Sequence, residues 1–141
     1  RESGILPITD PRMTRFWITL EQGVNFVLDS LEKMVGGELF VPKLPSMNIM
    51  DLAKVIAPEC KTEIVGIRPG EKLHELMITK DDARRTLEFK DHYMIQPDFH
   101  FWNRRYKLNT GKPVPEDFEY SSDKNPQKLS LAEMRQIIDN L

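Results

Sequence analysis

The stretch that decides the fold is Lys61-Thr-Glu-Ile-Val-Gly-Ile67, followed directly by Arg68-Pro-Gly-Glu71. β-Branched residues dominate the first part, which predicts a strand. Pro69 presets its own backbone angle and Gly70 accepts left-handed geometry, so a tight turn is expected after the strand. Ligands of open α/β sheets bind beyond the carboxyl ends of parallel strands. The Arg68 loop is therefore the first place to look for a ligand.

The preceding residues complete a strand–helix–strand pattern. A short strand is predicted over 38–41, and Asn48 can cap a helix over 48–57. With the strand over 62–67, this gives a right-handed βαβ crossover whose two strands are parallel neighbours. A short helix over 71–77 is expected after the turn.

Two capping boxes mark further helices. Thr19 and Gln22 form a T-x-x-Q pair at the start of an amphipathic helix that is expected to end at Gly36-Gly37. Ser130 and Glu133 form a second box, which begins a closing helix near the end of the chain.

The remaining residues indicate a hairpin and an arm. Residues 86–89 and 93–95 are predicted to pair around Lys90-Asp-His92. Residues 97–127, rich in aromatic and charged side chains, are expected to form a long irregular arm that packs over its own domain or a neighbouring subunit. The fold class is thus mixed α/β, with residues 1–96 as one region and 97–141 as the arm and closing helix.

Composition narrows the function classes. The 141 residues carry a net charge of −2, so nucleic acid and an anionic membrane surface are not expected as main partners. The single cysteine, Cys60, excludes an internal disulfide framework and favours a reducing compartment. Residues 99–107 interleave basic and aromatic side chains, which leaves single-stranded nucleic acid as a third, weaker hypothesis. The chain opens on Arg1 without Met, and we expect it to be part of a longer protein.

The Arg68 turn combines residue types that suit a nucleoside diphosphate. A guanidinium can grip phosphate oxygens with two parallel hydrogen bonds. The Glu71 carboxylate could accept hydrogen bonds from the vicinal diol of a ribose, and Arg15 could grip the same pyrophosphate from the other side of a cleft. The alternatives are a surface turn with an Arg68–Glu71 ion pair and a rim arginine beside core aromatics.

Catalytic motifs are missing or out of context. No G-x-G-x-x-G follows a strand, so the sequence lacks the dinucleotide fingerprint. Tyr120 and Lys124 match a Tyr-x-x-x-Lys spacing that works only on a helix, but the surrounding Ser, Asp, Asn and Pro indicate a turn. The histidines show no zinc-ligand spacing, so no metal site is expected.

Three stretches, in the same order, resemble the inverting UDP-N-acetylglucosamine 4,6-dehydratases of flagellin glycosylation and pseudaminic acid synthesis. They are Leu6-Pro-Ile-Thr-Asp-Pro-Arg-Met-Thr-Arg-Phe-Trp-Ile-Thr-Leu20, Ile67-Arg-Pro-Gly-Glu-Lys-Leu-His-Glu75 and Asp117-Phe-Glu-Tyr-Ser-Ser122. These dehydratases belong to the extended short-chain dehydrogenase/reductase superfamily. The chain is similar to their C-terminal region, and the N-terminal Rossmann domain is absent from it.

The resemblance implies specific roles at matching positions. Arg15 and Arg68 correspond to the two arginines on the diphosphate, and Glu71 corresponds to the acidic residue on the uridine ribose. Pro7, Ile8 and Thr9 correspond to the segment whose backbone meets the uracil. No catalytic residue is implied in this chain.

The resemblance also implies what the parent enzyme does. Such an enzyme oxidises C4 of UDP-N-acetylglucosamine with NADP, eliminates water across C5–C6, and returns hydride to C6 with inversion at C5. The parent is expected to be a cytoplasmic homo-oligomer, whereas the 141-residue chain alone is expected to be inactive. Two alternatives stay open: a related UDP-sugar epimerase or dehydratase of capsule or O-antigen synthesis, and a non-catalytic module that binds nucleotide sugars.

Overall fold

A computed structural model describes residues 4–98 and 111–140. Short strands and helices alternate along these residues. The strands are β1 Ile5–Ile8, β2 Thr14–Phe16, β3 Leu39–Pro42, β4 Ser46–Asn48, β5 Lys61–Ile64, β6 Leu76–Ile78, β7 Thr86–Glu88, β8 His92–Ile95, β9 Lys112–Pro113 and β10 Tyr120–Ser121. The helices are α1 Leu20–Lys33, α2 Ile49–Ile56, α3 Lys80–Ala83 and α4 Leu131–Asp139. The predicted mixed α/β class is confirmed.

The helices begin where their capping residues predict. Thr19 accepts the N–H of Gln22, whose side chain returns to the Thr19 N–H, and Ser130 forms the same reciprocal box with Glu133. The Asn48 side chain accepts the N–H of Met50 at the start of α2. The predicted starts of α1, α2 and α4 are therefore confirmed, although α1 ends at Lys33, ahead of the glycine pair.

The predicted βαβ crossover is wrong in its strand partners. β3 pairs antiparallel with β8, and β5 pairs parallel with β1, with Ile5 opposite Lys61 and Ile8 opposite Ile64. Local patterns identified these strands but carry no information about which distant strand each will meet. The parallel pair nevertheless puts the Arg68 loop beyond the carboxyl end of β5, as expected.

The predicted helix over 71–77 is also wrong. Residues 76–78 form β6, which pairs with β10, and residues 71–75 are irregular. The predicted hairpin is confirmed, since β7 and β8 pair antiparallel with Thr86 opposite Ile95. Within the arm, β9 pairs with β7, and Val114 and Tyr120 are buried. Residues 99–110, which include the whole basic–aromatic stretch over 99–107, lie outside the described residues.

The chain divides into two compact units, each built from separate stretches. The first comprises residues 1–17, 44–75 and 121–141. Its core lies between α2, α4 and β4, where Met47, Val55 and Met134 are buried. Truncating one such side chain to alanine typically costs about 2–5 kcal/mol of stability.

The second unit comprises residues 18–43 and 76–120. It contains a four-stranded sheet in the order β3-β8-β7-β9, with Met94 of β8 fully buried. Helix α1 has no buried residue, and apolar side chains along it, including Leu20 and Leu31, are exposed. Among the described residues, no helix has the length and apolar character needed to cross a membrane.

Candidate functional site

The Arg68 loop is a tight turn closed by its own carboxylate. The Glu71 N–H donates to the Arg68 carbonyl at 3.0 Å, and Gly70 has a φ of +82°, which a type II turn requires at its third residue. The Glu71 Oε2 accepts the main-chain N–H of Arg68 at 3.1 Å. The carboxylate thus binds the backbone of the turn.

The Arg68 guanidinium is solvent-exposed. Within residues 4–98 and 111–140, no hydrogen bond or ion pair to it is found, in contrast to the Arg15 guanidinium. Of the two predicted arginines, Arg68 is the one whose planar fork is available to an incoming anion.

The predicted Pro7–Thr9 segment lies at the same edge of the parallel pair. The Val65 N–H, just beyond β5, donates to the Ile8 carbonyl of β1 at 2.8 Å. The two strands therefore end together, with Thr9 following one and the Arg68 loop following the other.

A pocket of about 240 Å³ opens beside this segment. One wall is Pro7, Ile8 and Thr9 with Leu6, and the other is a face of α2. The α2 residues are Ile49, Leu52, Ala53 and Ile56. These four residues form an apolar face of α2, opposite the β1 residues across the pocket.

The Arg15 guanidinium forms hydrogen bonds to main-chain carbonyls of this protein. Its Nη1 donates to the carbonyls of Thr14 at 2.7 Å and Leu73 at 3.1 Å, and its Nη2 donates to the carbonyl of Lys72 at 3.0 Å. The side chain is 25% exposed, with Nε 4.0 Å from Glu75 Oε1. Arg15 therefore fastens the residues that directly follow the Arg68 turn, a role that the sequence did not reveal.

Glu75 completes this attachment. Its Oε2 accepts the main-chain N–H of Phe16 at 2.7 Å, and the Thr14 N–H donates to the Leu73 carbonyl at 3.2 Å. Residues 72–75 consequently lie alongside β2. They accept hydrogen bonds from residues of β2, which explains why they do not form the predicted helix.

An ion pair flanks the site at the turn after β1. The Arg12 guanidinium donates to both oxygens of Asp10, at 2.9 and 2.7 Å, and the Arg12 N–H donates at 2.8 Å. These hydrogen bonds lower the pKa of Asp10 from 3.8 to about 2. Asp10 is thus ionised at neutral pH and offsets the charge of Arg12.

The turn predicted around Lys124 is confirmed. Tyr120 is buried in β10, whereas Lys124 lies in the turn that follows it. The two side chains do not share a helix face, so the spacing that short-chain dehydrogenases use for acid–base chemistry is not reproduced here.

Comparison with known proteins identifies the family of this chain. A family model described as "Polysaccharide biosynthesis protein" matches residues 1–97. A Campylobacter jejuni protein named UDP-N-acetylglucosamine 4,6-dehydratase (inverting) is 50% identical over 141 aligned residues, covering 96% of this chain and 42% of that protein. The resemblance predicted from the three motifs is therefore confirmed.

Two further relatives widen the comparison. A Rickettsia canadensis UDP-glucose 4-epimerase is 33% identical over 138 residues, covering 94% of this chain and 40% of that protein. The X-ray structure of Pen from Bacillus thuringiensis superposes with a TM-score of 0.80 at 29% identity, covering 99% of this chain and 41% of that one. The chain thus spans about two fifths of the length of each relative. Since the family model covers more than half of the chain, including the Arg68 turn and residues 72–75, the chain belongs to the polysaccharide biosynthesis protein family.

Proposed function

We propose that this chain is the substrate-binding, C-terminal part of an inverting UDP-N-acetylglucosamine 4,6-dehydratase of the extended short-chain dehydrogenase/reductase superfamily. The observation that carries the proposal is the Arg68–Glu71 turn. It holds an exposed arginine beyond the carboxyl end of β5, and the strand paired with β5 is β1, which lines the Pro7–Thr9 pocket. The 50% identity to the Campylobacter dehydratase supports the choice of reaction.

In this proposal Arg68 binds the diphosphate. An exposed planar fork can form two parallel charge-assisted hydrogen bonds to phosphate oxygens, with no partner among residues 4–98 and 111–140 to give up first. Glu71 accepts a hydrogen bond from the ribose. One of its oxygens already closes the turn, and a carboxylate retains further lone pairs for the diol.

The Pro7–Thr9 pocket suits a flat base. Its walls are apolar side chains of α2 and of Leu6 and Ile8, which would cover the faces of a uracil. Main-chain groups of residues 7–9 would meet the polar edge of the base. The pocket therefore supplies apolar contact and a few oriented polar groups, the usual composition of a ligand site.

Arg15 contributes in two ways. Its charge favours a pyrophosphate nearby, while its carbonyl contacts hold residues 72 and 73 behind the Arg68 turn. Binding UDP at a distance from the reacting sugar carbons supplies positioning energy for the chemistry.

The parent enzyme uses NADP for redox chemistry at C4 and C6 of the sugar. The residues described here do not fit that cofactor. The sequence carries no glycine-rich dinucleotide fingerprint, and Tyr120 and Lys124 lie on a strand and a turn rather than on one face of a helix. We place the NADP site, and with it every hydride step, in the part of the parent protein outside this chain. We also propose that the parent is a cytoplasmic homo-oligomer that supplies a sugar for flagellin or surface glycans.

Product analysis of the full gene product tests the proposal. With UDP-N-acetylglucosamine and NADP, we expect a 4-keto-6-deoxy nucleotide sugar with inverted configuration at C5, identified by NMR. The 33% identity to an epimerase favours a second candidate, a UDP-sugar 4-epimerase, which would give the C4 epimer without loss of water. UDP binding without turnover of either kind would indicate a non-catalytic module.

A further inference from the structure

A chain of hydroxyls lies behind the Arg68 turn. Thr14 Oγ1 is 2.8 Å from His74 Nδ1 and 2.7 Å from Ser122 Oγ. Ser122 is completely buried, and its main-chain N–H donates to the Glu75 carbonyl at 2.8 Å. Residues from three distant stretches of sequence thus meet in one hydrogen-bonded network.

Ser122 connects the network to the main chain on both sides. Its Oγ lies 3.1 Å from the Thr14 carbonyl and accepts the Glu75 N–H at 2.9 Å. Its own carbonyl accepts Lys128 Nζ at 2.7 Å. Ser122 therefore joins β2 to residue 75, while Lys128 fixes the turn from which Ser122 projects.

The number of available hydrogens determines which atom donates and which accepts in each contact of the network. Each hydroxyl carries one hydrogen. If His74 Nδ1 carries a hydrogen, Thr14 accepts it and donates to Ser122, which donates to the Thr14 carbonyl, so every contact is a hydrogen bond. If Nδ1 is bare, Thr14 must donate to it and Ser122 must donate to Thr14, and the bond to the carbonyl is lost. The contacts are all satisfied only with the hydrogen on Nδ1.

We propose that Thr14, His74 and Ser122 are positioning residues for the nucleotide site, an inference that rests on the proposed function. They hold residues 72–75 against β2, where the Lys72 and Leu73 carbonyls receive Arg15. Because Glu71 directly precedes this segment, loosening it would release the anchored end of the Arg68 turn. None of the three residues needs to touch the ligand.

Matched variants of the full gene product, titrated with UDP, test the inference. Thr14→Val keeps the shape of the side chain but removes the hydroxyl, and we expect roughly tenfold weaker UDP binding from the loss of partly buried hydrogen bonds. Thr14→Ser restores the hydroxyl and should bind within about twofold of wild type. His74→Asn, which places an amide near the Nδ1 position, should bind more tightly than His74→Leu.

Thr86→Val is the control. Thr86 is buried in the second unit and donates one hydrogen bond to the Asp82 carbonyl at 2.8 Å. The loss of this hydrogen bond should lower the thermal stability about as much as Thr14→Val does, while leaving the UDP affinity unchanged. If Thr14→Val weakened binding no more than Thr86→Val, or if serine failed to restore it, the positioning role would be wrong.

A second measurement separates this inference from the proposed function. Nitrogen NMR of His74 without nucleotide should show the hydrogen on Nδ1 in wild type, and Thr14→Val should change that signal. If wild type bound no UDP while this signal was as expected, the proposed function would fail together with the positioning role, and only the network would stand. If wild type bound UDP but His74 had a bare Nδ1, the network as described would be overturned alone.

Discussion

Arg15 and Leu73 are joined across 58 positions of sequence by a hydrogen bond of 3.1 Å from the guanidinium Nη1 to the main-chain carbonyl. The same carbonyl accepts the N–H of Thr14 at 3.2 Å. A carbonyl with two lone pairs can accept both. Leu73 is thereby fixed to β2 by a side chain and by the backbone, and this attachment positions the Arg68 turn just before it.

Arg15→Ala should weaken UDP binding and also destabilise the protein. The substitution removes carbonyl hydrogen bonds from a charged, half-buried donor, so we expect a loss of about 1–3 kcal/mol in the free energy of unfolding. Urea unfolding of the full gene product measures it, with the exposed Arg84→Ala as control. In the UDP titration, the double variant Arg15→Ala/Arg68→Ala should lose less binding free energy than the two single variants together, because both residues interact with one pyrophosphate. An Arg15→Ala protein as stable as wild type would contradict the fastening role.

Glu71→Gln should have a mild effect on UDP binding. An amide oxygen can still accept the Arg68 N–H or one ribose hydroxyl, so the expected loss is about 1 kcal/mol. Glu71→Ala should cost more, since the turn loses its closing acceptor as well. Isothermal titration calorimetry with UDP and with uridine compares wild type, Glu71→Gln and Glu71→Ala. Equal affinities for all three proteins would show that Glu71 does not bind the ligand.

The isolated 141-residue chain should not convert UDP-N-acetylglucosamine, with or without NADP. The sequence carries no dinucleotide fingerprint, and Tyr120 and Lys124 lie on a strand and a turn. NMR of the reaction mixture is the measurement, with the full gene product as positive control. A 4-keto sugar formed by the isolated chain would overturn the assignment of the chemistry to residues outside it.

Alkaline pH should destabilise the second unit through Tyr93. Burial, followed by the nearby Glu88 and Tyr120, raises the pKa of Tyr93 from 10.0 to about 12. The folded state then keeps this proton in a range where the unfolded chain has lost it. Stability should fall between these two pKa values as pH rises, by at most about 1.4 kcal/mol per pH unit. In Tyr93→Phe, the free energy of unfolding should depend less on pH across that range. An unchanged pH dependence would contradict the shifted pKa of Tyr93.

Local features of the fold could be predicted from sequence. The Thr19–Gln22 and Ser130–Glu133 boxes are complete within four residues, so the starts of α1 and α4 require no knowledge of the rest of the chain. The turn at Pro69-Gly70 is equally local, because the two residues carry the required backbone angles themselves.

Long-range pairing could not be predicted in the same way. The partner of β5 is β1, more than fifty residues away, and the partner of β3 is β8. The residues over 71–77 suit a helix by composition, but Leu73 and Glu75 are occupied by hydrogen bonds from β2. Tertiary contacts overrode the local preference there.

The candidate site shows the same division. The Arg68–Glu71 turn was predicted from four consecutive residues, and its geometry agrees with that prediction. No local pattern predicts the hydrogen bonds of His74, because Thr14 and Ser122 lie 60 and 48 positions away along the sequence. Only the folded chain brings the three together.

The most direct test of the central claim is a UDP titration of the full gene product carrying Arg68→Ala. We predict a loss of about 2–3 kcal/mol in binding free energy, because a charge-assisted contact to the diphosphate disappears. Arg68→Lys should restore only part of it, since an ammonium cannot form the bidentate fork. NADP affinity, measured separately on the same variants, should hardly change. UDP binding by Arg68→Ala as tight as by wild type would contradict the account, and the Arg68 loop would then be an ordinary surface turn.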